Sequence, residues 1–324
     1  MEKKYGEEYK GDSRFVADCR KLQSIYRVEI GEDIRPYTDR YGNVHCYGNY
    51  ISNGEIPKDG CWKNFLTECA FKHAEYRVEN RKEYETIESD RLFNNLLSSQ
   101  PMAFNLFCPL RQMCMDSSEI ATKVIKSALP DYPIHKVTEV ELEFIPKDYP
   151  KLTGDKSAMD AIIRFEDEQG KGGFIAVETK YSENLGTNVA YDRDENGKKI
   201  PRAKSIEAVK KLQCFTPDVE KSIMGGSTPL TQIYRNFLLS EMYGFEEGLL
   251  SYSIILTPKR HPSTKRELES LTNGLREEYK NKIKEIKLED FVERIISICP
   301  VEYANIFERF HDRYLNFEKL KNFD

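Results

Sequence analysis

Apolar residues recur at helical spacing over a stretch of about forty residues that begins near residue 90. They predict one helix over 90–99 and a second that restarts with Pro101 in its first turn, where a missing N–H costs least. A third helix is expected to begin near Asp116 and to end near Leu129. The chain therefore enters its central region through helices.

The pattern then changes to that of strands. Over 137–145, apolar residues alternate with glutamates, which puts an apolar face opposite an acidic one. Two further apolar runs, 160–165 and 173–179, are joined by a polar, glycine-rich turn. Because the connections between these three predicted strands are short, neighbouring strands should be antiparallel.

The pattern in the rest of the sequence predicts helices and strands in turn. They are a polar loop at 181–203, helices at 204–215, 228–243 and 263–281, and strands at 250–257 and 283–287. The order helix, three strands, helix, strand (αβββαβ) predicts an α/β protein with a mixed central sheet flanked by helices. We expect residues 90–300 to form the core, with 301–324 as a helical tail.

Residues 1–89 are expected to form an N-terminal extension packed on that core. Two aromatic-rich runs around Tyr41-Gly42-Asn43 predict a hairpin, and 61–79 has helical spacing. No motif in this extension indicates a role.

Charge limits the possible partners of the chain. A net charge of −5 over 324 residues argues against a protein that coats nucleic acid, so any nucleic-acid site must be a local basic groove. No apolar stretch in the sequence approaches the roughly 18 residues that a membrane helix needs, and the first residues lack the apolar region of a secretory signal. We expect a cytoplasmic protein with no membrane partner.

The cysteines do not point to a zinc site. None forms a CxxC pair, and no histidine lies at ligand spacing beside two of them. We expect reduced thiols at all eight positions: Cys19, Cys46, Cys61, Cys69, Cys108, Cys114, Cys214 and Cys299.

Three charged residues come together in the predicted hairpin. Facing residues of a hairpin have a nearly constant sum of residue numbers, and a turn centred near 169–170 places Asp160 opposite Glu178. Side chains alternate along a strand, so Lys180 projects from the same face as Glu178. Two carboxylates suit Mg²⁺, and a lysine beside the ion can orient a water and offset developing charge. Alternatively, the three are surface charges that form an ordinary ion pair.

The segment 154–183 (GDKSAMDAIIRFEDEQGKGGFIAVETKYSE) resembles the core of a PD-(D/E)XK nuclease, whose motif falls here on Asp160, Glu178 and Lys180. Met159 stands where the family name has proline. The resemblance extends over about 90–290.

Two further segments resemble a bacterial restriction-endonuclease-like branch of that family. They are Glu143 within LEF and the helical segment Ser98-Ser99-Gln100. The branch has a restriction-endonuclease-like core with a mixed sheet flanked by helices.

The resemblance implies Mg²⁺-dependent hydrolysis of DNA or, less often, RNA, with Mn²⁺ as a substitute ion. Asp160 and Glu178 would be the main metal ligands, Lys180 the group that orients water, and Glu143 an auxiliary ligand. For Glu143 the alternative is an ordinary exposed strand glutamate. The expected partner is double-stranded DNA, and the sequence leaves open whether the chain forms a homodimer.

Nucleic-acid contacts are expected after the motif. Gln232, Arg235 and Asn236 share one side of a helix, and we expect Gln232 and Arg235 to contact phosphate. The alternative is an ordinary exposed polar helix face. Lys199 and Arg202 belong to one of two candidate basic clusters, which are Lys198, Lys199, Arg202, Lys204, Lys210 and Lys211, and Lys259, Arg260, Lys265 and Arg266. Solvated faces are the alternative for both clusters.

Three functions fit these features. The first is a metal-dependent endonuclease of restriction or defence type. The second is a catalytically silent module of the same fold that binds nucleic acid or a partner protein. The third is a metal hydrolase that acts on small phosphoesters, which a closed pocket in place of an open groove would favour.

Overall fold

The structure is a computed structural model that describes residues 2–52, 63–85, 87–186, 189, 191–193, 195–197, 199–262 and 264–322. In chain order the helices are α1 (Glu2–Tyr5), α2 (Arg14–Glu29), α3 (Glu68–Glu79), α4 (Ser89–Asn94), α5 (Ser99–Asp116), α6 (Ser118–Ala128), α7 (Tyr149–Leu152), α8 (Ala203–Leu212), α9 (Pro217–Met224), α10 (Gln232–Glu247), α11 (Thr264–Gly274), α12 (Glu277–Lys280), α13 (Leu288–Ile298) and α14 (Val301–Tyr314), followed by a 3₁₀ turn (Phe317–Asn322).

Among the described residues, nine strands form one large sheet and two small hairpins. In chain order they are β1 (Tyr37–Thr38), β2 (Val44–His45), β3 (Lys136–Phe144), β4 (Met159–Glu166), β5 (Gly172–Thr179), β6 (Tyr191–Arg193), β7 (Lys199–Pro201), β8 (Leu250–Thr257) and β9 (Ile283–Lys287). The central sheet has the order β3-β4-β5-β8-β9.

That sheet is mixed, as the pattern of strands and helices predicts. Strands β3, β4 and β5 pair antiparallel, whereas β8 runs parallel to β5 and β9 runs parallel to β8. Helices α8, α9 and α10 provide the long crossover that a parallel β5–β8 pair requires. The fold is α/β with helices on both sides of the sheet, the arrangement of a restriction-endonuclease-like protein, and the fold class is confirmed.

The two faces of the sheet pack against different helices. On one face, strand residues such as Ile163 and Ile175 join a large cluster with aromatic side chains of α5 and α13. On the other face, Ile255 packs with Ile233 and Phe237 of α10. Both faces of β5 and β8 are therefore covered, which explains why these strands have continuous apolar runs rather than an alternating pattern.

Several predicted boundaries are wrong. The helix expected over 90–99 ends at Asn94, because the next residues pair with the segment around Asn49, and α5 begins only at Ser99. The helix expected over 263–281 is interrupted near Leu275, which forms a bridge with Phe215.

The other differences concern short elements. The loop expected at 181–203 contains the hairpin β6–β7, and α9 was not predicted. The helix expected over 61–79 begins at Glu68, and Cys61 lies outside the described residues. The other seven cysteines are free thiols, and the hairpin around Tyr41-Gly42-Asn43 is confirmed as β1–β2.

The terminal segments share the core of the central region. The large cluster runs from Phe15 of α2 to Phe307 and Phe310 of α14, and it includes sheet residues. The division at 89 and 300 stays a prediction. Among the described residues, no helix combines the length and apolar character needed to cross a membrane.

Candidate active site

A row of three carboxylates crosses the sheet where β3, β4 and β5 lie side by side. The β3–β4 register pairs Leu142 with Ala161, so Glu143 comes opposite Asp160. The β4–β5 register pairs Ala161 with Val177, so Asp160 comes opposite Glu178. The sequence therefore predicts correctly that Asp160 faces Glu178, whereas hairpin register does not predict Glu143 on its other side.

Glu178 is held from two directions. Its Oε1 accepts from Lys180 Nζ at 2.7 Å and from Gln232 Nε2 at 2.9 Å, and its Oε2 accepts from Asn236 Nδ2 at 2.9 Å. Gln232 and Asn236 lie one turn apart on α10, so both amides reach the same carboxylate. Helix α10 thus fixes the orientation of Glu178.

Asp160 is bound by the residue that ends β5. Its Oδ2 accepts from the backbone N–H of Thr179 at 2.6 Å and from Thr179 Oγ1 at 2.7 Å. Burial and the negative charges of Glu178 and Glu143 raise the pKa of Asp160 well above its ordinary value, although Lys180 and the Thr179 N–H oppose them. A buried carboxylate beside two others is short of positive charge.

Glu143 is not an exposed strand glutamate. Only 5% of it is exposed, and its Oε1 accepts from Gln100 Nε2 at 3.1 Å. Burial, together with the charge of Glu178, raises the pKa of Glu143 to about 7, against the opposing effects of Gln100 and Arg77. Its φ of 53° lies in the left-handed region, and Arg77 donates to its backbone carbonyl at 2.9 Å. Such a conformation costs about 1 kcal/mol or more and clusters at functional sites.

Lys180 supplies the positive charge of this site. It is 8% exposed and lies 2.7 Å from Glu178. Burial alone would lower its pKa, but the carboxylates of Glu178 and Asp160 overcome that effect and raise it. Lys180 is therefore an ammonium that donates hydrogen bonds, not a general base.

The donor set suits a hard divalent cation. Carboxylate oxygens are the ligands that Mg²⁺ prefers, usually one or two together with substrate phosphate. Burial, and after it neighbouring negative charge, raise the pKa values of Asp160 and Glu143, and a bound cation would oppose both effects. Within the described part of the chain, however, no group of three or more histidine, cysteine or acidic side chains is arranged to hold a metal.

The four residues expected to contact nucleic acid do not share one environment in the structure. Gln232 uses its amide for Glu178, and its Oε1 accepts from Gly186 N at 2.8 Å. Arg235 Nε and Arg202 Nη1 both approach Asp155 Oδ2, at 3.5 and 3.7 Å. Lys199 is exposed in β7, and its ammonium lies 4.2 Å from the Tyr191 ring centre.

Most other cations of the two basic clusters already have acidic partners. The pairs are Lys204–Glu207, Lys211–Glu246, Lys259–Asp290, Arg260–Asp18 and Lys265–Glu269. Lys198 lies outside the described residues. Arg202 and Arg235 are half-buried and also lie near an acidic side chain, that of Asp155.

Three positioning contacts have no counterpart in the sequence prediction. They are Thr179 on Asp160, Asn236 on Glu178 and Gln100 on Glu143. Helical spacing places Asn236 beside Gln232, but it does not show which carboxylate the two would meet. The segment containing Gln100 is noted only through the resemblance, which says nothing of its partner.

A model of the PD-(D/E)XK nuclease superfamily matches residues 10–316. None of the curated proteins and none of the solved structures matches the chain. Because the family match covers nearly the whole sequence, the chain belongs to the PD-(D/E)XK nuclease superfamily.

Proposed function

We propose that the chain is a metal-dependent endonuclease that hydrolyses phosphodiester bonds in DNA. The observation that carries this proposal is the row of carboxylates beside the buried ammonium of Lys180. The superfamily generally consists of nucleases that hydrolyse phosphodiester bonds. Mg²⁺ is the proposed cofactor, with Mn²⁺ as a substitute, on the oxygen chemistry of the donor set.

Each side chain has a proposed role. Asp160 and Glu178 would hold the cation, with Glu143 as an auxiliary ligand, while Gln232 and Asn236 keep Glu178 oriented. When bound, a divalent cation polarises a phosphoryl oxygen and lowers the pKa of a coordinated water. Lys180 has two further N–H groups beyond its bond to Glu178, and we propose that they orient the attacking water and offset charge on the phosphoryl group.

The substrate is proposed to reach the site along the side formed by the start of α10. Arg235 and Arg202 flank Asp155 there, and an arginine fork suits a phosphate. Lys199 would add a more distant phosphate contact. A phosphate contact by Gln232 also stays a prediction, and it would compete with the bond to Glu178. Double-stranded DNA and a restriction or defence role rest on the resemblance alone.

Closed circular plasmid DNA tests this proposal, since only internal cleavage opens a circle. We expect relaxed and linear products with Mg²⁺ or Mn²⁺ and none with EDTA. Asp160→Ala and Lys180→Ala should each lower the rate by at least about 100-fold, the loss that follows removal of an electrostatic group at a reacting centre. Cleavage at the wild-type rate by both variants would overturn the assignment.

A catalytically silent nuclease-fold module is the second candidate. It is favoured by the three donors already on Glu178 and by the lack, among the described residues, of a group of three metal-ligating side chains. This candidate predicts DNA binding that neither EDTA nor Asp160→Ala changes, with intact plasmid in every metal. Mg²⁺-dependent cutting that Asp160→Ala abolishes would exclude it.

A further inference from the structure

Glu183 accepts hydrogen bonds from two separate segments of the chain. Its Oε1 accepts from Arg91 Nη2 at 2.8 Å, from the Ser99 backbone N–H at 2.9 Å and from Ser99 Oγ at 3.1 Å. Its Oε2 faces the backbone N–H groups of Tyr181 and Ser182, at 3.3 and 3.2 Å. One carboxylate thus joins the beginning of α5 to the loop that follows β5.

Both segments carry residues of the candidate active site. The loop after β5 begins with Lys180, directly before the two N–H groups that Glu183 accepts. The beginning of α5 carries Gln100, directly after Ser99, and Gln100 holds Glu143. Glu183 is therefore placed to fix the distance between Lys180 and the residue that holds Glu143.

The surroundings of Glu183 favour its charged form. Burial would raise its pKa, but Arg91, the Ser99 N–H and Lys180 together hold the pKa below its ordinary value. The carboxylate also caps the 18-residue helix α5 at the end where backbone N–H groups point outward. Arg91 is fixed in turn by its bond to Ser98 Oγ at 2.8 Å.

We propose that Glu183 is a positioning residue of the nuclease site, which locks Lys180 and the Gln100–Glu143 pair into one geometry. This role rests on the proposed function, because it acts through Lys180 and Glu143. Glu183 itself is not placed to touch substrate or cation. Its loss should therefore change turnover more than binding of DNA.

The plasmid assay with graded variants tests the role. Glu183→Gln keeps an acceptor oxygen but loses the charge that pairs with Arg91, and we expect kcat to fall about tenfold. Glu183→Ala removes both oxygens, and kcat should fall about 100-fold, with KM for DNA within about threefold of wild type. Should Glu183→Ala fail to fold, Glu183→Gln alone decides.

Glu289→Gln is the control, because Glu289 is buried and, like Glu183, accepts a backbone N–H, here from Lys259 at 2.8 Å. It should keep the wild-type kcat. If kcat of both Glu183 variants stays within twofold of wild type, or falls no more than that of the control, the positioning role is overturned. Absence of cutting by the wild-type protein in Mg²⁺ and Mn²⁺ would instead overturn the proposed function.

A readout independent of activity follows the two segments directly. In hydrogen exchange measured by mass spectrometry, Glu183→Ala should speed exchange in peptides that contain Ser99 and in those that contain Tyr181 and Ser182. Peptides from α13 should exchange as in wild type, whereas Glu289→Gln should leave the two site segments unchanged. Unchanged exchange at both site segments in Glu183→Ala would contradict the joining of the two segments.

Discussion

The orientation of Glu178 depends on Asn236 as well as on the lysine of the motif. Asn236→Asp keeps the shape of the side chain but replaces the donor to Glu178 Oε2 with a second negative charge. We expect plasmid cleavage to slow by about 10- to 100-fold, because groups that orient metal ligands have effects of this size. The cleavage rate is measured at saturating Mn²⁺.

Asn80→Asp serves as the control for that change. Asn80 Nδ2 also donates one hydrogen bond, to the Tyr76 carbonyl at 2.9 Å, but on an exposed surface. It should cut DNA at the wild-type rate. A wild-type rate for Asn236→Asp would show that Gln232 and Lys180 suffice to orient Glu178.

His73 makes the folded protein sensitive to acid. Burial, and then the charges of Arg111 and Arg77, lower its pKa from 6.5 to about 4. Between these values the unfolded chain binds the proton and the folded protein does not, so stability is complete above pH 6.5 and falls as the pH drops toward 4. The free energy of unfolding should fall by about 2 kcal/mol from pH 7.5 to pH 5.0 through this group alone.

Urea unfolding of His73→Phe at the two pH values measures that contribution. The pH-dependent loss should shrink by about 2 kcal/mol relative to wild type. His135→Gln, at an exposed histidine, should leave the loss unchanged. An equal loss in wild type and His73→Phe would mean that His73 binds its proton equally well in both states.

Single residues of the site differ in how far the sequence predicts them. The sequence predicts that Asp160 faces Glu178, because facing residues of a hairpin have a nearly constant sum of residue numbers. It predicts that Lys180 lies on the same face as Glu178, because side chains alternate along a strand. The sequence does not predict partners for Gln100 and Glu183. Gln100 donates to Glu143, 43 residues away, and Glu183 accepts from Ser99, 84 residues away. Such contacts depend on how helices pack on the sheet, which local spacing does not encode.

At the scale of elements, strands were predicted better than helices. Buried strands leave an apolar run or an alternation in the sequence, and all five strands of the central sheet were expected within one or two residues of their bounds. Helix ends were decided by tertiary contacts instead. The Leu96 N–H donates to the Asn49 carbonyl and the Arg276 N–H to the Cys214 carbonyl, and each bond lies where a predicted helix is interrupted.

Gly173 of β5 packs so closely against the neighbouring strands that a substitution there should destabilise the protein. A Cβ on Gly173 would lie 2.6 Å from the Phe165 ring and 2.9 Å from the Leu250 Cβ, near the start of a strand that is paired on both sides. Gly173→Ala should therefore destabilise the protein by about 1–3 kcal/mol, the usual cost of overpacking. The measurement is the midpoint of urea unfolding.

The neighbouring Gly172 is the control for that substitution. Its added Cβ would meet only the Leu249 Cδ2 at 2.9 Å, the far end of a flexible side chain that can turn away. Gly172→Ala should cost less than Gly173→Ala. If Gly172→Ala instead destabilises the protein more than Gly173→Ala, the packing of Phe165 against β5 is not what excludes a side chain at position 173.

At the scale of the whole molecule, one buried arginine links the two ends of the chain. Arg313 of α14 donates to Gln23 Oε1 of α2 at 3.1 Å, and to the Asn64 carbonyl and Oδ1 at 2.9 and 2.6 Å. It is 1% exposed, and its guanidinium lies 4.1 Å from the Tyr26 ring centre. These contacts favour a single cooperative unit over an independent tail.

Arg313→Met tests that cooperativity, because it keeps much of the volume but removes the donor from Gln23 Oε1 and from Asn64 Oδ1, which stay buried. We expect a loss of about 3 kcal/mol in the free energy of unfolding and a single transition by both circular dichroism and tryptophan fluorescence. Arg309→Met, at an exposed arginine of the same helix, should change stability by less than about 0.5 kcal/mol. Two separate transitions would contradict a single cooperative unit, and equal stability of the two variants would show that the contacts of Arg313 do not stabilise it.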